Sequence, residues 1–122
     1  MRVRVRLRSI VVAITLAAAA PAHGAGASVA ECLEGSDFIA NAARARDNGL
    51  ARASFLERLD ADFMAIRAFP PALRWFAHDA DDERFLRGAA QDVFDRPQSP
   101  EMHRTDFLRA CFARLGPIGP SA

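Results

Sequence analysis

The chain has no lysine, no tyrosine, three histidines and two cysteines among its 122 residues. Beyond the N-terminal segment it has no run of basic residues, so it lacks the electrostatic footprint of a nucleic-acid-binding protein. It also lacks a nucleophile elbow, a Gly-rich phosphate loop and a Ser/His/Asp grouping. These absences predict no enzymatic activity, no cofactor and no nucleic-acid partner.

The first residues follow the order of a secretory signal. Residues 1–8 contain four arginines and no acid, and residues 9–20 carry no charge. The apolar stretch of about 11 residues is shorter than the roughly 20 that a membrane-spanning helix needs. Pro21 and small residues up to Ala27 complete the pattern. We therefore expect residues 1–27 to be a cleaved signal peptide, with a membrane anchor as the alternative.

Two A-x-A motifs fit a signal peptidase, one ending at Ala22 and one at Ala27, and we favour cleavage after Ala27. Adjacent twin arginines are absent, which favours the general secretory route. A charged residue, Glu31, directly before Cys32 argues against a lipoprotein. The use of arginine without lysine, together with abundant alanine, suggests a GC-rich bacterial genome. The expected location is the periplasm or the cell exterior, with no stable membrane anchor.

After cleavage, residues 28–122 would remain, and their net charge and cysteine content differ in meaning from those of the whole chain. All 16 basic residues are arginine and four leave with the signal, so twelve face 15 acids and the net charge becomes −3. The two cysteines, Cys32 and Cys111, lie near opposite ends of this part. An even pair in an oxidising compartment predicts a disulfide, with two free buried thiols as the alternative.

Hydrophobic spacing predicts helices nearly throughout residues 28–122. The first spans about 29–48, with Gly35 and Ser36 as candidates for an interruption, and stops at Asn48-Gly49. The second starts at Ser54, which forms a capping box with Glu57, and ends at Pro70-Pro71. Its apolar arc comprises Phe55, Leu56, Leu59, Phe63, Ile66 and Phe69.

A short helical turn is expected over 73–77, followed by two further helices. Acids over 79–83 mark the start of the third helix, where the helix dipole favours negative charge, and Pro97 stops it. Ser99 and Pro100 cap the fourth, which ends at Gly116, before a loose tail from about 117. The prediction is an all-α, compact domain of four to five helices, stapled by one disulfide.

The aromatic content is the feature with most functional promise. The chain has nine phenylalanines and one tryptophan, and the four-helix core absorbs about six of them by spacing. Phe38, Met64, Trp75 and Phe112 are harder to place inside. Exposed together, they would form an apolar surface for a partner; the alternative is that they fill a large core or a dimer interface.

Three stretches resemble a known group of proteins: residues 43–49 (ARARDNG), 65–76 (AIRAFPPALRWF) and 93–111 (VFDRPQSPEMHRTDFLRAC). They are similar to small exported proteobacterial helical proteins whose function is unassigned. The resemblance covers most of residues 28–122 and implies a secreted helical domain with terminal cysteines. It implies no catalytic or binding residues. A looser likeness, in architecture and around residues 32–39, is to small periplasmic acid-stress chaperones.

Two functions are compatible with these observations. The first is a periplasmic binding or interaction module, of a chaperone-like kind, that uses an apolar surface between the second and third helices and takes an unknown protein or peptide partner. The second is a binder of a metal or small ligand through His78, Asp79 and His103, although neither histidine has a partner at metal-ligand spacing. The partner, the oligomeric state and the physiological role do not follow from the sequence.

Overall fold

The computed structural model describes residues 27–116, and over this part the chain is entirely helical apart from its connections. The predicted signal peptide and the tail from 117 lie outside the described residues, apart from Ala27. No helix between residues 27 and 116 has the length and apolar character needed to cross a membrane. The elements are α1 (Val29–Asp47), α2 (Arg52–Arg67), a 3₁₀ turn (Pro71–Leu73), α3 (Ala80–Asp95) and α4 (Pro100–Arg114).

Helix α1 has a defined cap at each end. The Ser28 hydroxyl oxygen accepts a hydrogen bond from the N–H of Glu31, 3.2 Å away. At the other end Gly49 has a φ of +96°, which an L side chain rarely adopts. The Gly49 N–H bonds to the Arg46 carbonyl and the Leu50 N–H to the Ala45 carbonyl, which together form a Schellman motif. The predicted stop at Asn48-Gly49 is confirmed.

Helix α2 begins earlier than the sequence predicts. Its N-cap is Ala51, which makes no side-chain capping bond, and Ser54 lies inside the first turn. The prediction of a capping box between Ser54 and Glu57 is therefore wrong. The early start is supported by Arg52, whose guanidinium bonds to Asp95 at the end of α3 (2.8 Å). A contact distant in sequence therefore accompanies this boundary, although an exposed ion pair contributes little to stability.

The connection between α2 and α3 differs most from expectation. The helical turn lies at Pro71–Leu73 and not at 73–77. Phe76 has a φ of +51° and stands at the centre of a three-residue turn closed by the Ala77 N–H on the Trp75 carbonyl. A bulky residue at positive φ is unusual, and here its ring is fully buried. Burial of the ring therefore offsets an unfavourable backbone conformation.

The starts of α3 and α4 are confirmed. The Asp79 carboxylate accepts the N–H of Asp82 at 2.9 Å, and three acids occupy the first turn of α3. The Ser99 hydroxyl oxygen accepts the N–H of Met102 at 3.2 Å, with Pro100 at the first helical position. Both caps satisfy backbone donors that the first turn leaves free.

Helix α1 lies at the centre of the packing. It packs most extensively on α4, which runs antiparallel to it, and also on α3, while α2 packs on α3. The Cys32–Cys111 disulfide joins α1 to α4 across 79 residues, with a Cα–Cα distance of 5.7 Å and both residues buried. The prediction of an all-α domain whose two ends are joined by one disulfide is confirmed.

Gly35 does not interrupt α1, contrary to expectation. A Cβ at this position would lie 2.8 Å from the Phe107 ring and 3.1 Å from the Phe76 ring. The absence of a side chain therefore lets two core phenylalanines approach the backbone of α1. Ser36 stays in the helix and donates its hydroxyl to the Leu33 carbonyl (2.6 Å).

Candidate functional site

A groove lies between α3 and α4 in the described part of the chain. Both helices pack on α1, and between them lies a volume of about 490 Å³, across whose floor the ring centroids of Phe85 and Phe107 are 5.3 Å apart. The floor of this groove, which we call the α3–α4 groove, is apolar. Its floor residues are Ile39, Phe85, Gly88, Ala89, Phe107 and Ala110. An apolar floor open to solvent suits the binding of apolar groups.

Small residues keep the groove open. Gly88 lies on α3, and a Cβ built on it meets no atom within 4 Å. Ala89 and Ala110 also line the groove and carry only a methyl group. Because large side chains are absent from these positions, neither helix fills the space between them. The groove is bordered by α3 from Arg84 to Asp95 and by the C-cap residue Arg96, and twelve residues of helix span roughly 18 Å.

The rim of the groove carries charges of both signs. Arg96, the C-cap of α3, lies 3.7 Å from Asp92, and Arg84 on α3 is paired with Asp81, which does not line the groove. Asp106 lies on the α4 side. These exposed pairs contribute little to stability, so their side chains are free to rearrange around an occupant. The rim therefore does not select for a strongly charged ligand.

His103 closes one end of the groove and is buried. Its Nε2 accepts the backbone N–H of Gln98 at 3.0 Å and lies 3.3 Å from Nη1 of Arg46. The same guanidinium donates to the Val93 carbonyl (2.6 Å) and the Gln98 carbonyl (2.7 Å). An accepting Nε2 requires the neutral ring with its proton on Nδ1. This end of the groove is thus fixed by bonds from α1 to the end of α3 and to the following loop.

Charge and burial act together on His103. Burial and, next, the charge of Arg46 lower its pKa below the ordinary value. The carboxylates of Asp106, Asp92 and Asp47 offset only part of this effect. The folded domain therefore favours the neutral imidazole.

His78 has the opposite tendency. Its Nε2 lies 2.9 Å from the Glu31 carboxylate and its Nδ1 lies 3.0 Å from the Pro71 carbonyl. Burial acts to lower its pKa, but these bonds and the charges of Glu31 and Asp82 outweigh burial and raise the pKa. With acceptors at both ring nitrogens, the protonated ring is the form that satisfies both contacts.

We expect the two histidines to give opposite pH dependence of stability. The raised pKa of His78 stabilises the fold below its unfolded pKa of about 6.5, and this contribution is lost as pH rises through the folded value. The lowered pKa of His103 stabilises the fold above about 6.5, and this contribution is lost as pH falls through the folded value. Thermal melts of His78→Gln and His103→Gln at about pH 5 and about pH 8 test this. His78→Gln should lose more stability at the lower pH and His103→Gln more at the higher; the same pH dependence in both would contradict the assignment.

The residues expected to form an apolar partner surface are brought together only in part. Phe38 and Trp75 are in contact, with ring centroids 6.1 Å apart, and Phe38 also packs on Phe55. Met64 is 70% exposed. Because Met64 and Phe55 are nine residues apart in α2, they lie on opposite faces of that helix. Met64 therefore belongs to a different surface from Phe38 and Trp75.

Trp75 and Phe38 are half-buried rather than freely exposed. The Trp75 indole N–H donates to the Glu34 carboxylate at 2.7 Å, and its ring packs on Phe76. Phe112 is also half-buried and packs against the core. These residues extend the core to the surface, so Trp75→Ala would affect stability as well as any partner.

The cleft between α2 and α3 is charged. It has a volume of about 400 Å³ and is lined largely by ion-paired side chains. Arg87 bonds to both carboxylate oxygens of Asp60, at 2.9 and 3.0 Å, and Arg67 pairs with Glu83. The expected apolar surface between the second and third helices does not lie in this cleft; the apolar floor lies between α3 and α4.

The proposed ligand residues His78, Asp79 and His103 are not grouped. His78 contacts Glu31 near the start of α1, whereas His103 contacts Arg46 near its end. Fifteen helical residues separate these contacts by roughly 20 Å. Within residues 27–116 no three His, Cys, Asp or Glu side chains are placed to hold a metal ion.

The burial of Asp82 was not predicted from the sequence, because this residue lies among acids that cap the start of α3. Asp82 is fully buried and accepts the His78 N–H (3.1 Å) and Nη2 of Arg114 (3.0 Å). It thereby joins the α2–α3 connection to the last turn of α4. The available signal was its spacing, since Asp82 shares the apolar face of α3 with Leu86, Ala90 and Val93.

No protein-family model matches the chain, and no curated protein or solved structure is significantly similar to it.

Proposed function

We propose that the chain is an exported, non-catalytic binding module that holds an apolar segment of another polypeptide in the α3–α4 groove. The observation that carries this proposal is the open groove of about 490 Å³ with an apolar floor. An amphipathic helical segment is a suitable occupant because two helical walls and an apolar floor accept one face of a helix. A transient grip on apolar segments is the chaperone-like form of this role.

A non-catalytic role is supported by what the histidines contact. Both ring nitrogens of His78 are engaged by Glu31 and Pro71, and Nε2 of His103 accepts from Gln98. General acid–base chemistry needs a group within reach of a substrate proton, and these contacts hold the chain together instead. No observation favours the alternative of a metal or small-ligand binder built on His78, Asp79 and His103.

Filling the groove tests the proposal. Gly88→Leu places a side chain in open space, since nothing lies within 4 Å of a Cβ there. Leucine is also a better helix former than glycine, by somewhat under about 1 kcal/mol, so the variant should melt no lower than the wild type. Ala61→Leu is the matched control, because Ala61 is exposed on α2 and does not line the groove.

The probe is a fluorescein-labelled amphipathic helical peptide of leucine, alanine and glutamine, followed by fluorescence anisotropy. Wild type and Ala61→Leu should bind it equally, and Gly88→Leu should bind roughly tenfold or more weakly, a loss of about 1.4 kcal/mol. The same order is expected for the enhancement of anilinonaphthalene sulfonate fluorescence. Equal binding by all three proteins, or no binding by the wild type, would rule the groove out as the site.

A further inference from the structure

One end of the α3–α4 groove is held together through Gln98, which lies in the loop between the two helices. Both backbone groups of Gln98 are bonded: its N–H donates to Nε2 of His103 on α4 (3.0 Å), and its carbonyl accepts from Nη2 of Arg46 on α1 (2.7 Å). Nη1 of the same guanidinium donates to the Val93 carbonyl in the last turn of α3 (2.6 Å). We call the three residues Gln98, His103 and Arg46 the His103 latch. The latch ties α1, α3, α4 and the loop together at one point.

The latch is part of the groove wall. Gln98 and His103 both line the groove, as does Arg96 in the same loop. The loop has only four residues, 96–99, between the end of α3 and the start of α4. A helix–helix connection this short adopts few conformations, so its position sets how the two walls are placed at this end. A change in the latch therefore changes the shape of the groove.

The latch needs a neutral His103. In the neutral ring Nε2 can accept a hydrogen bond, whereas in the protonated ring both nitrogens are donors. A protonated Nε2 would face two other donors, the Gln98 N–H at 3.0 Å and Nη1 of Arg46 at 3.3 Å. The Gln98 N–H would lose its acceptor beside a side chain that is only 5% exposed, and two positive charges would lie in contact. A protonated ring and a closed latch are therefore incompatible.

Charged groups from three helices face His103. Arg46 and Asp47 come from α1, Asp92 from α3 and Asp106 from α4. Burial and the charge of Arg46 lower the pKa of His103, and the three carboxylates offset only part of this effect. The ring therefore takes up its proton below its ordinary pKa of about 6.5, and the latch is closed at neutral pH.

We propose that protonation of His103 opens the latch and lowers the affinity of the α3–α4 groove for its occupant, so that the domain binds near neutral pH and releases in acid. This inference rests on the proposed function, because it concerns the regulation of the same groove. A closed latch presents a fixed end wall, whereas a freed wall must be ordered again when an occupant binds. The coupling is reciprocal, so an occupied groove makes His103 harder to protonate.

Peptide binding at two pH values tests the inference. The peptide is the amphipathic helix of leucine, alanine and glutamine, here unlabelled and with blocked termini, so that it has no group that titrates. Isothermal titration calorimetry at about pH 7.5 and about pH 5 should show that the wild type binds roughly fivefold or more weakly in acid. His103→Gln should bind equally at both, because a glutamine oxygen can accept the Gln98 N–H and does not titrate.

His78→Gln is the matched control, because it removes a histidine that contacts Glu31 near the start of α1 and does not line the groove. It should keep the pH dependence of the wild type. Circular dichroism at each pH checks that every variant is folded.

Asp106→Asn distinguishes titration of His103 from a purely structural role. Asp106 is exposed, and its charge raises the pKa of His103. Its removal should therefore move the midpoint of the pH profile of binding to lower pH. The midpoint of the His103 ring signals in nuclear magnetic resonance should move in the same direction, and it should also fall when the wild type is saturated with peptide.

The outcomes separate this inference from the proposed function. Equal binding by the wild type at both pH values, or tighter binding in acid, would overturn the inference and leave the groove as the binding site. A folded His103→Gln that keeps the wild-type pH dependence would also overturn it. If His103→Gln does not fold, an unchanged midpoint in Asp106→Asn has the same meaning. Absence of binding at either pH would remove the proposed function and the inference with it.

Discussion

Replacing Cys111 with serine is expected to lower the free energy of unfolding by about 2–5 kcal/mol. The Cys32–Cys111 bridge spans 79 residues and joins the first turn of α1 to the last turns of α4, so its loss frees nearly the whole domain in the unfolded state. A domain of this size buries a modest share of its surface and has little stability in reserve. Chemical denaturation of wild type and variant, both under oxidising conditions, measures the difference.

Two controls separate the bridge from the side chain. Cys32→Ser and the double variant should be about as destabilised as Cys111→Ser, because each removes the same bond. Reducing agent should lower the free energy of unfolding of the wild type towards that of the variants and should leave that of the variants unchanged. A wild type whose stability is the same with and without reducing agent would contradict a structural role for the bridge.

Phe76→Ala is expected to cost about 3–5 kcal/mol. The Phe76 ring is fully buried and packs on Phe85, Phe107 and Trp75, with centroid distances of 6.2, 5.7 and 5.8 Å. It also fills the space that Gly35 leaves on α1. Its removal leaves a cavity where α1, α4 and the α2–α3 connection meet, and equilibrium denaturation measures the loss.

Two further variants make this prediction specific. Phe69→Ala deletes the same atoms from an exposed position and should change stability by less than about 0.5 kcal/mol. Phe76→Gly should recover part of the loss of Phe76→Ala, because glycine accepts the φ of +51° that alanine does not favour. A Phe76→Ala variant as stable as Phe69→Ala would refute the central place given to this ring.

The parts of the fold that local chemistry decides were predictable from the sequence. Gly49 ends α1, Asp79 begins α3, and Ser99 with Pro100 begins α4, each through bonds to residues within a few positions. The start of α2 was not, because Ser54 and Glu57 have the pattern of a capping box, whereas the helix begins at Arg52, which is ion-paired with Asp95, 43 residues away. Sequence spacing does not report contacts of that kind.

The candidate sites depended still more on tertiary structure. Gly88 and Ala110 carry no recognisable pattern in the sequence, and the groove exists because these small residues leave space between α3 and α4. Asp82 lies on the apolar face of α3, and the partners that satisfy its buried carboxylate, Arg114 and the His78 N–H, are distant elements that spacing does not reveal. By contrast, the exposure of Met64 was expected from its spacing in the helix. The pairing of Cys32 with Cys111 was expected from an even number of cysteines in a chain predicted to be exported.

We propose that the oxidised domain functions outside the cytoplasm, and the mass of the intact protein tests this most directly. The full chain is expressed in a bacterium with its own N-terminus, and the protein is recovered from the periplasm without reducing agent. We expect the mass of a chain that begins at Ser28, lower by two hydrogens than the mass of its reduced form. An uncleaved chain held in the cell, or a cleaved chain with two free thiols, would contradict it.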